Sequence, residues 1–359
     1  MPDIQSHTEP KAARKAKPRW GIWLQFILVA LCLGYVIRNV LELGPMRVWE
    51  TARQADSTWL ALSLLPLVGR FLVWAVKWFL MLRREHRFVW SDIFHLIMVN
   101  NFLNLVTPSA KLAGGLFRGF YLAKTCDWPM RRAYGWTLAD QISMLLGNLF
   151  LFGILALWSG LFLDVKLAGG TLPILGGLLL MGLAALVWGR AHLWRGISRP
   201  HIQAKLDRWV PNRFLLESNG ETRQWLAPLL GPLLTSGTRG QWFRVEIFLS
   251  ACSFAMLCLS NALVLKSLGI TSAIPLVAVI LMLAYFGGTI VGVMGGIGVT
   301  EVFLMTLYPL AGIPETAAAA GALLHRASFY LITLSIGSVS FWMKGRALKA
   351  AIRSQKAVA

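Results

Sequence analysis

Apolar stretches at residues 20–37, 58–82, 134–163, 170–189, 245–267, 274–294 and 316–343 recur along the whole chain. Each approaches or exceeds the roughly 20 helical residues that cross a hydrocarbon core about 30 Å thick. This feature leaves few folds open, because in hydrocarbon every backbone N–H and C=O must bond within the protein, and only helices and closed barrels achieve that. The stretches are continuously apolar, whereas barrel strands alternate apolar and polar residues, so the barrel is excluded. Composition points the same way: 56% of residues are hydrophobic and 14% charged, with a mean hydropathy of +0.60, far from the balance of a soluble domain. The fold class is an all-α polytopic membrane protein with about seven or eight transmembrane helices, some of them broken or re-entrant.

The formal charge of +19 would suit a nucleic-acid binder, but its placement argues for a membrane surface. Basic residues gather in 1–19, at Arg83, Arg84 and Arg87, at Lys124, Arg131 and Arg132, through 190–244, and from Lys344 to Lys356. The intervening 38–57, 164–169 and 268–273 are balanced or uncharged, with Lys266 the exception. The positive-inside rule puts both termini in the cytoplasm, with the excess charge facing anionic headgroups of a bacterial inner membrane and no nucleic acid as partner. The chain divides into a basic tail at 1–19, a transmembrane domain at 20–343 and a basic tail at 344–359. Within the domain, 190–244 reads as interfacial helices on the inner leaflet. The first apolar run lacks a small-residue cleavage site and is expected to remain as an anchor. Cys32, Cys126, Cys252 and Cys258 form no CxxC pair, so neither a disulfide frame nor a metal site is expected.

One stretch breaks the apolar pattern: VNNFLNLVTPSAKLAGGLFRGFYLAK, residues 99–124, contains a proline, paired glycines and two cations. Basic clusters flank it on both sides, so it must enter and leave by one face. Residues 92–107 and 109–123 are short for full crossings, and the spacing predicts a re-entrant hairpin bent at Thr107 and Pro108. Thr107 is expected to cap the second arm, with Pro108 at its first helical position. Backbone broken at that depth requires protein cover or a wet cavity. Lys111 and Arg118, two helical turns apart on one face, are candidate ligands for a phosphate-bearing headgroup, and Gly114 and Gly115 would allow a close approach. The competing reading has Arg118 snorkelling to the inner face and the glycines serving packing alone.

A second interruption, GVMGGIGVTEVFLMTLYPLAGIPE, places Gly295, Gly296 and Gly298 just ahead of Glu301. Broken segments in corresponding parts of two halves point to an inverted-repeat transporter with a site near the bilayer midplane. Charge alone leaves open whether 274–312 forms a second hairpin or two crossings.

The ordered motifs NNFLNLVTPSAKLAGGLFRGFYL, GGIGVTE and LLHRASFY, with KWFLML upstream, resemble the lysylphosphatidylglycerol synthase transmembrane-region family of flippase-like membrane domains. The resemblance covers nearly the whole chain after the basic tail. It implies movement of lipids or lipid-linked headgroups between leaflets, without the aminoacyl-phospholipid synthase that some members carry. Arg118, Glu301 and Arg326 match the family pattern. Gly115 stands where that pattern has a glutamate, the following helix reads LADQIS with Asp140 and Gln141, and the proline ahead of the second glycine motif is absent.

Glu301 and Arg326 are ionisable groups at intramembrane depth, where such residues are costly and usually functional. They should pair with each other, with Asp140 or Lys111, or with a substrate. His325 is either a proton carrier or a packing residue. HExxH, GxxxxGK[ST] and GxSxG arrangements are all missing, so no enzyme, catalytic residue or cofactor is expected. The substrate-binding set is Lys111, Gly114, Gly115, Arg118, Asp140, Glu301, His325 and Arg326. The leading reading is an inner-membrane transporter, or flippase, for a lipid with an anionic headgroup. A scaffold for a separate lipid- or glycan-modifying enzyme is the alternative, and a transferase using Asp140 and Glu301 as acid and base is a third. The oligomeric state is left unassigned.

Overall fold

The structure is a computed structural model that describes residues 20–83, 85–107, 112–162, 173–185, 241–271, 274–290 and 294–358. Residues 108–111 of the first interruption and 291–293 ahead of the second lie outside the described residues, as do the tail 1–19 and nearly all of 190–244.

Every regular element among the described residues is helical: α1 Trp20–Leu43, α2 Pro45–Arg53, α3 Ser57–Leu82, α4 Trp90–Val106, α5 Ala113–Thr125 and α6 Met130–Phe162, then α7 Pro173–Ala185. There follow α8 Gln241–Ser267, α9 Ile274–Ile290, a 3-10 turn at Met294–Gly296, α10 Val299–Leu310 and α11 Glu315–Val358. Within α1, α3, α6, α8 and α11 lie five stretches long and apolar enough to cross a membrane. The seven or eight crossings expected from hydropathy included the runs that form α7 and α9, of which 10–17 helical residues each are described.

Local chemistry accounts for several boundaries. Gly44, with φ of 87°, turns the chain between α1 and α2, and Pro45 opens α2 at a position where a missing N–H costs nothing. Asp56 caps α3 by accepting the Thr58 N–H at 2.7 Å. Thr107 marks the break that the sequence predicts. It closes α4 as C-cap in an extended conformation, and its hydroxyl donates back to the Leu103 carbonyl at 2.5 Å. The described part of α5 starts after Leu112, which offers no side-chain cap. The Thr107 bond uses the hydroxyl as a donor, and the N–H groups it was expected to accept from at the start of the second arm belong to residues 109–111, outside the described residues.

The helices run between two ends of the molecule. At one end the Asp56 N–H donates to the Ser267 carbonyl at 2.7 Å, the Lys266 ammonium sits 3.6 Å from the centre of the Trp59 ring, and Gly321 near the start of α11 abuts Leu265 and Leu268. At the other, Arg132 pairs with Glu85, Lys344 with Asp92 at 2.5 Å, and Lys124 bonds Gln355 at 3.3 Å. Lys266, out of place on charge counting, thus rests on an aromatic face.

This frame places the two broken pairs. α4 starts and α5 finishes at the Lys344 end, each tied there to α11. α9 starts just after the Ser267 end of α8, and α10 finishes near it, where the Tyr308 hydroxyl accepts from Asn261 of α8 at 2.7 Å. By helical rise, α4, α5, α9 and α10 are about 26, 20, 26 and 18 Å long, all less than the hydrocarbon thickness. Their breaks meet: a Cβ on Gly295 would lie 2.7 Å from Leu105 Cδ1, one residue before the end of α4. α3 and α8 pack along each other and carry the rest of the core. α1 is peripheral, with Trp23, Phe26, Ile27, Leu31, Ile37 and Leu41 all exposed, as a helix solvated by lipid chains would be.

Candidate functional site

The first constellation forms where α3, α5, α6 and α8 converge. A helical repeat puts Trp74, Lys77 and Trp78 on one buried face of α3. Against them stands Asp140 of α6. Its Oδ2 accepts from Arg118 Nη1 at 2.6 Å and its Oδ1 from Lys77 Nζ at 2.8 Å, while Trp74 Nε1 donates to both oxygens at 3.1 and 3.2 Å. Lys77 Nζ also donates to the Asp140 carbonyl and to Ser143 and Ser250, each at 3.1 Å, so all three of its protons have acceptors. Arg118, Lys77 and Asp140 are wholly buried. Buried charges of this kind persist only when paired and hydrogen-bonded.

Arg118 is less completely satisfied than Lys77. Its guanidinium lies 4.5 Å above the Trp78 ring, and Nη1 is fixed by Asp140, but Nε and Nη2 have no partner. Those two nitrogens form the side-on edge of the guanidinium, whose parallel N–H groups suit two oxygens of a phosphate or carboxylate.

The second constellation sits on the 3-10 turn, α10 and α11. Gly295 and Gly298 adopt φ of 53° and 81°, left-handed conformations that favour glycine, and the turn delivers Glu301 to the first helical turn of α10, where a carboxylate is favoured by the helix dipole. Arg326 Nε donates to Glu301 Oε1 at 2.9 Å, and Arg326 Nη2 donates to the Gly295 carbonyl at 3.1 Å and the Tyr330 hydroxyl at 2.7 Å. Tyr330 donates in turn to Glu301 Oε1 at 3.1 Å. Glu301 Oε2 and Arg326 Nη1 lack partners.

The candidates named from sequence therefore divide between two places. Arg118 and Asp140 share one centre, and Glu301 and Arg326 the other. Gly114 and Gly115 line a helix contact: a Cβ on Gly114 would fall 2.3 Å from the Asn100 carbonyl oxygen, and one on Gly115 would fall 2.5 Å from Gln141 Nε2. The Gly114 N–H is held by Asn104 Oδ1 at 2.9 Å. His325 is buried, with Nε2 facing the Tyr285 hydroxyl at 3.5 Å and Nδ1 unpartnered. Lys111 lies outside the described residues, as does Pro108, so the expected cavity at that bend falls there too.

Three important side chains escaped the sequence reading. Lys77 and Tyr330 were noticed only within family signatures, KWFLML and LLHRASFY, and Arg70 not at all. A signal existed for two of them, since an Arg or Lys inside an apolar run is a functional candidate by default, and both Arg70 and Lys77 fall within 58–82. Tyr330 had none beyond its place in that motif, because a tyrosine in an apolar helix is ordinary.

The family described as lysylphosphatidylglycerol synthase TM region matches residues 22–337 of this chain. Among curated proteins, a UPF0104 membrane protein of Methanothermobacter thermautotrophicus is 25% identical over 338 residues, covering 88% of this chain and 92% of the relative. The UPF0104 membrane protein MJ1595 of Methanocaldococcus jannaschii is 19% identical over 326 residues, covering 88% and 93%.

Proposed function

The chain belongs to the lysylphosphatidylglycerol synthase transmembrane-region family, and from that premise we propose that it moves a lipid bearing an anionic headgroup between the leaflets of the cytoplasmic membrane. The carrying observation is the free Nε–Nη2 edge of Arg118, held in place by Asp140 through Nη1 and backed by Trp78. A guanidinium whose other contacts are already fixed is preorganised for an oxyanion.

In this reading α4–α5 and α9–α10 are two re-entrant hairpins entering from opposite faces, related as an inverted repeat. Their tips meet where Leu105 touches Gly295, which supports a substrate path at mid-depth, each half contributing one buried cation centre. The basic clusters at the Lys344 end face the cytoplasm with both termini and with 190–244. The headgroup is taken by Arg118, with Lys111 as a second donor, and Glu301 and Arg326 pair in one state and part in another. The protein is a transporter and not an enzyme in this scheme.

The experiment reconstitutes the purified chain in proteoliposomes containing headgroup-labelled phosphatidylglycerol and follows headgroup accessibility from outside. Exchange faster than in protein-free vesicles, lost in Arg118→Gln, is the expected result. Exchange no faster than in protein-free vesicles, for phosphatidylglycerol and an aminoacylated derivative alike, would sink the proposal.

A further inference from the structure

Arg70 precedes Lys77 by seven residues, two turns along the same face of α3, and so stands about 10 Å from it along the helix axis. Its residue is 9% exposed, and its Nε and Nη1 have no hydrogen-bond partner. Four rings close around the guanidinium, those of Phe71, Phe254, Tyr285 and Phe329, with centroids 5.7, 5.9, 5.8 and 5.8 Å away. The Tyr285 hydroxyl is close enough to accept from the guanidinium, and the Cys258 thiol and Arg326 are the other ionisable groups near it.

What sets Arg70 apart is its lack of a counter-charge. The other buried cations among the described residues each have a carboxylate: Lys77 and Arg118 share Asp140, Arg326 has Glu301 and Lys344 has Asp92. Arg70 makes no ion pair among the described residues. Its rings all stand near the outer limit of a useful cation–π distance, and ring faces leave in-plane N–H groups unsatisfied. An arginine cannot escape by losing its proton. A buried guanidinium with no counter-ion and with two nitrogens, Nε and Nη1, lacking acceptors calls for an occupant.

We infer that Arg70 is a second anion station, distinct from Arg118, which takes a phosphate-type oxyanion. The inference rests on the proposed movement of an anionic headgroup: α3 then offers cations at two depths, Lys77 beside Arg118 and Arg70 beside Arg326. Phe329 lies between the second pair, 5.8 Å from the Arg70 guanidinium and 5.6 Å from that of Arg326. An oxyanion leaving Arg118 meets Arg70 as the next unpaired cation along the helix. The chemistry suits a lipid phosphate or free phosphate equally.

The test uses the full chain, stripped of lipid in an uncharged detergent and titrated separately with phosphatidylglycerol, diacylglycerol and inorganic phosphate while thermal unfolding is read. In wild type, phosphatidylglycerol should raise Tm, and Arg70→Met should raise the half-saturating concentration at least tenfold, while the exposed Arg346→Met leaves it unchanged. Without ligand, Arg70→Met should unfold at or above the wild-type Tm, since an apolar side chain replaces a charge that had no partner. Protection by inorganic phosphate that Arg70→Met loses would keep the station and identify free anion as an occupant. Unchanged half-saturation, or equal loss of diacylglycerol protection in Arg70→Met, would overturn it. A lower ligand-free Tm with unchanged half-saturation would assign Arg70 to holding the rings together. Should the binding difference persist while wild type moves no lipid in proteoliposomes, the transport reading fails and the station stands.

Discussion

Arg118 of α5 and Asp140 of α6 join at 2.6 Å with neither side chain accessible, and Lys77 occupies the other carboxylate oxygen at 2.8 Å. One carboxylate therefore ties α3, α5 and α6 together. Asp140→Asn leaves two buried cations without their shared counter-ion, which should cost about 3–5 kcal/mol. Lys77→Met leaves the Arg118 pair intact and should cost much less. Thermal unfolding of the two variants in one detergent checks the order, and an Asp140→Asn protein as stable as wild type would contradict it.

Arg118 itself separates charge from shape. Arg118→Lys preserves a cation for Asp140 but removes the Nε–Nη2 edge, whereas Arg118→Gln removes both. If that edge holds the headgroup, transport falls in both variants while only glutamine lowers stability appreciably. Transport at the wild-type rate in Arg118→Lys, at matched incorporation, would reduce the residue to a structural cation.

The glycine contact offers a test of packing. A Cβ at Gly114 would sit 2.3 Å from the Asn100 carbonyl oxygen. That atom is backbone, so the arms of the broken pair must separate. Overpacking of this kind typically costs about 1–3 kcal/mol. Gly114→Ala should therefore lower Tm and transport together, while Gly34→Ala, which meets nothing within 4 Å, should change neither. Loss of transport in Gly114→Ala with an unchanged Tm would assign the glycine to substrate approach.

Hydropathy made the helical class and the positions of the long spans legible, because a 20-residue apolar run has few other uses. The breaks at 107–112 and 291–298 were legible for the same reason, through proline and glycine in the wrong place. Pairing was harder to see. Nothing in the spacing of Lys77, Arg118 and Asp140 reveals that they meet, since they lie on three different helices whose packing depends on small-residue contacts such as Gly114 on Asn100. Glu301 and Arg326 were named as partners among several choices, and the geometry selects one of those. Thr107 was legible as the point where the helix breaks, and its hydroxyl donates back to close the preceding turn.

The last prediction concerns orientation. The Lys344 end gathers Lys124, Arg131, Arg132, Lys344, Arg346, Lys349 and Arg353, while at the opposite end Arg38, Arg47 and Arg53 are balanced by Glu42, Glu50 and Asp56, and Lys266 is seated on Trp59. By the positive-inside rule this asymmetry leads us to expect the Lys344 end on the cytoplasmic side. Gln54 and Arg353 are both exposed and belong to opposite ends. In a background with the four native cysteines replaced, Gln54→Cys should react with a membrane-impermeant maleimide applied to intact cells, and Arg353→Cys only after the membrane is opened. The inverse pattern would turn the molecule over. The α4–α5 pair would then open to the outside, and the headgroup would reach Arg118 from the outer leaflet first.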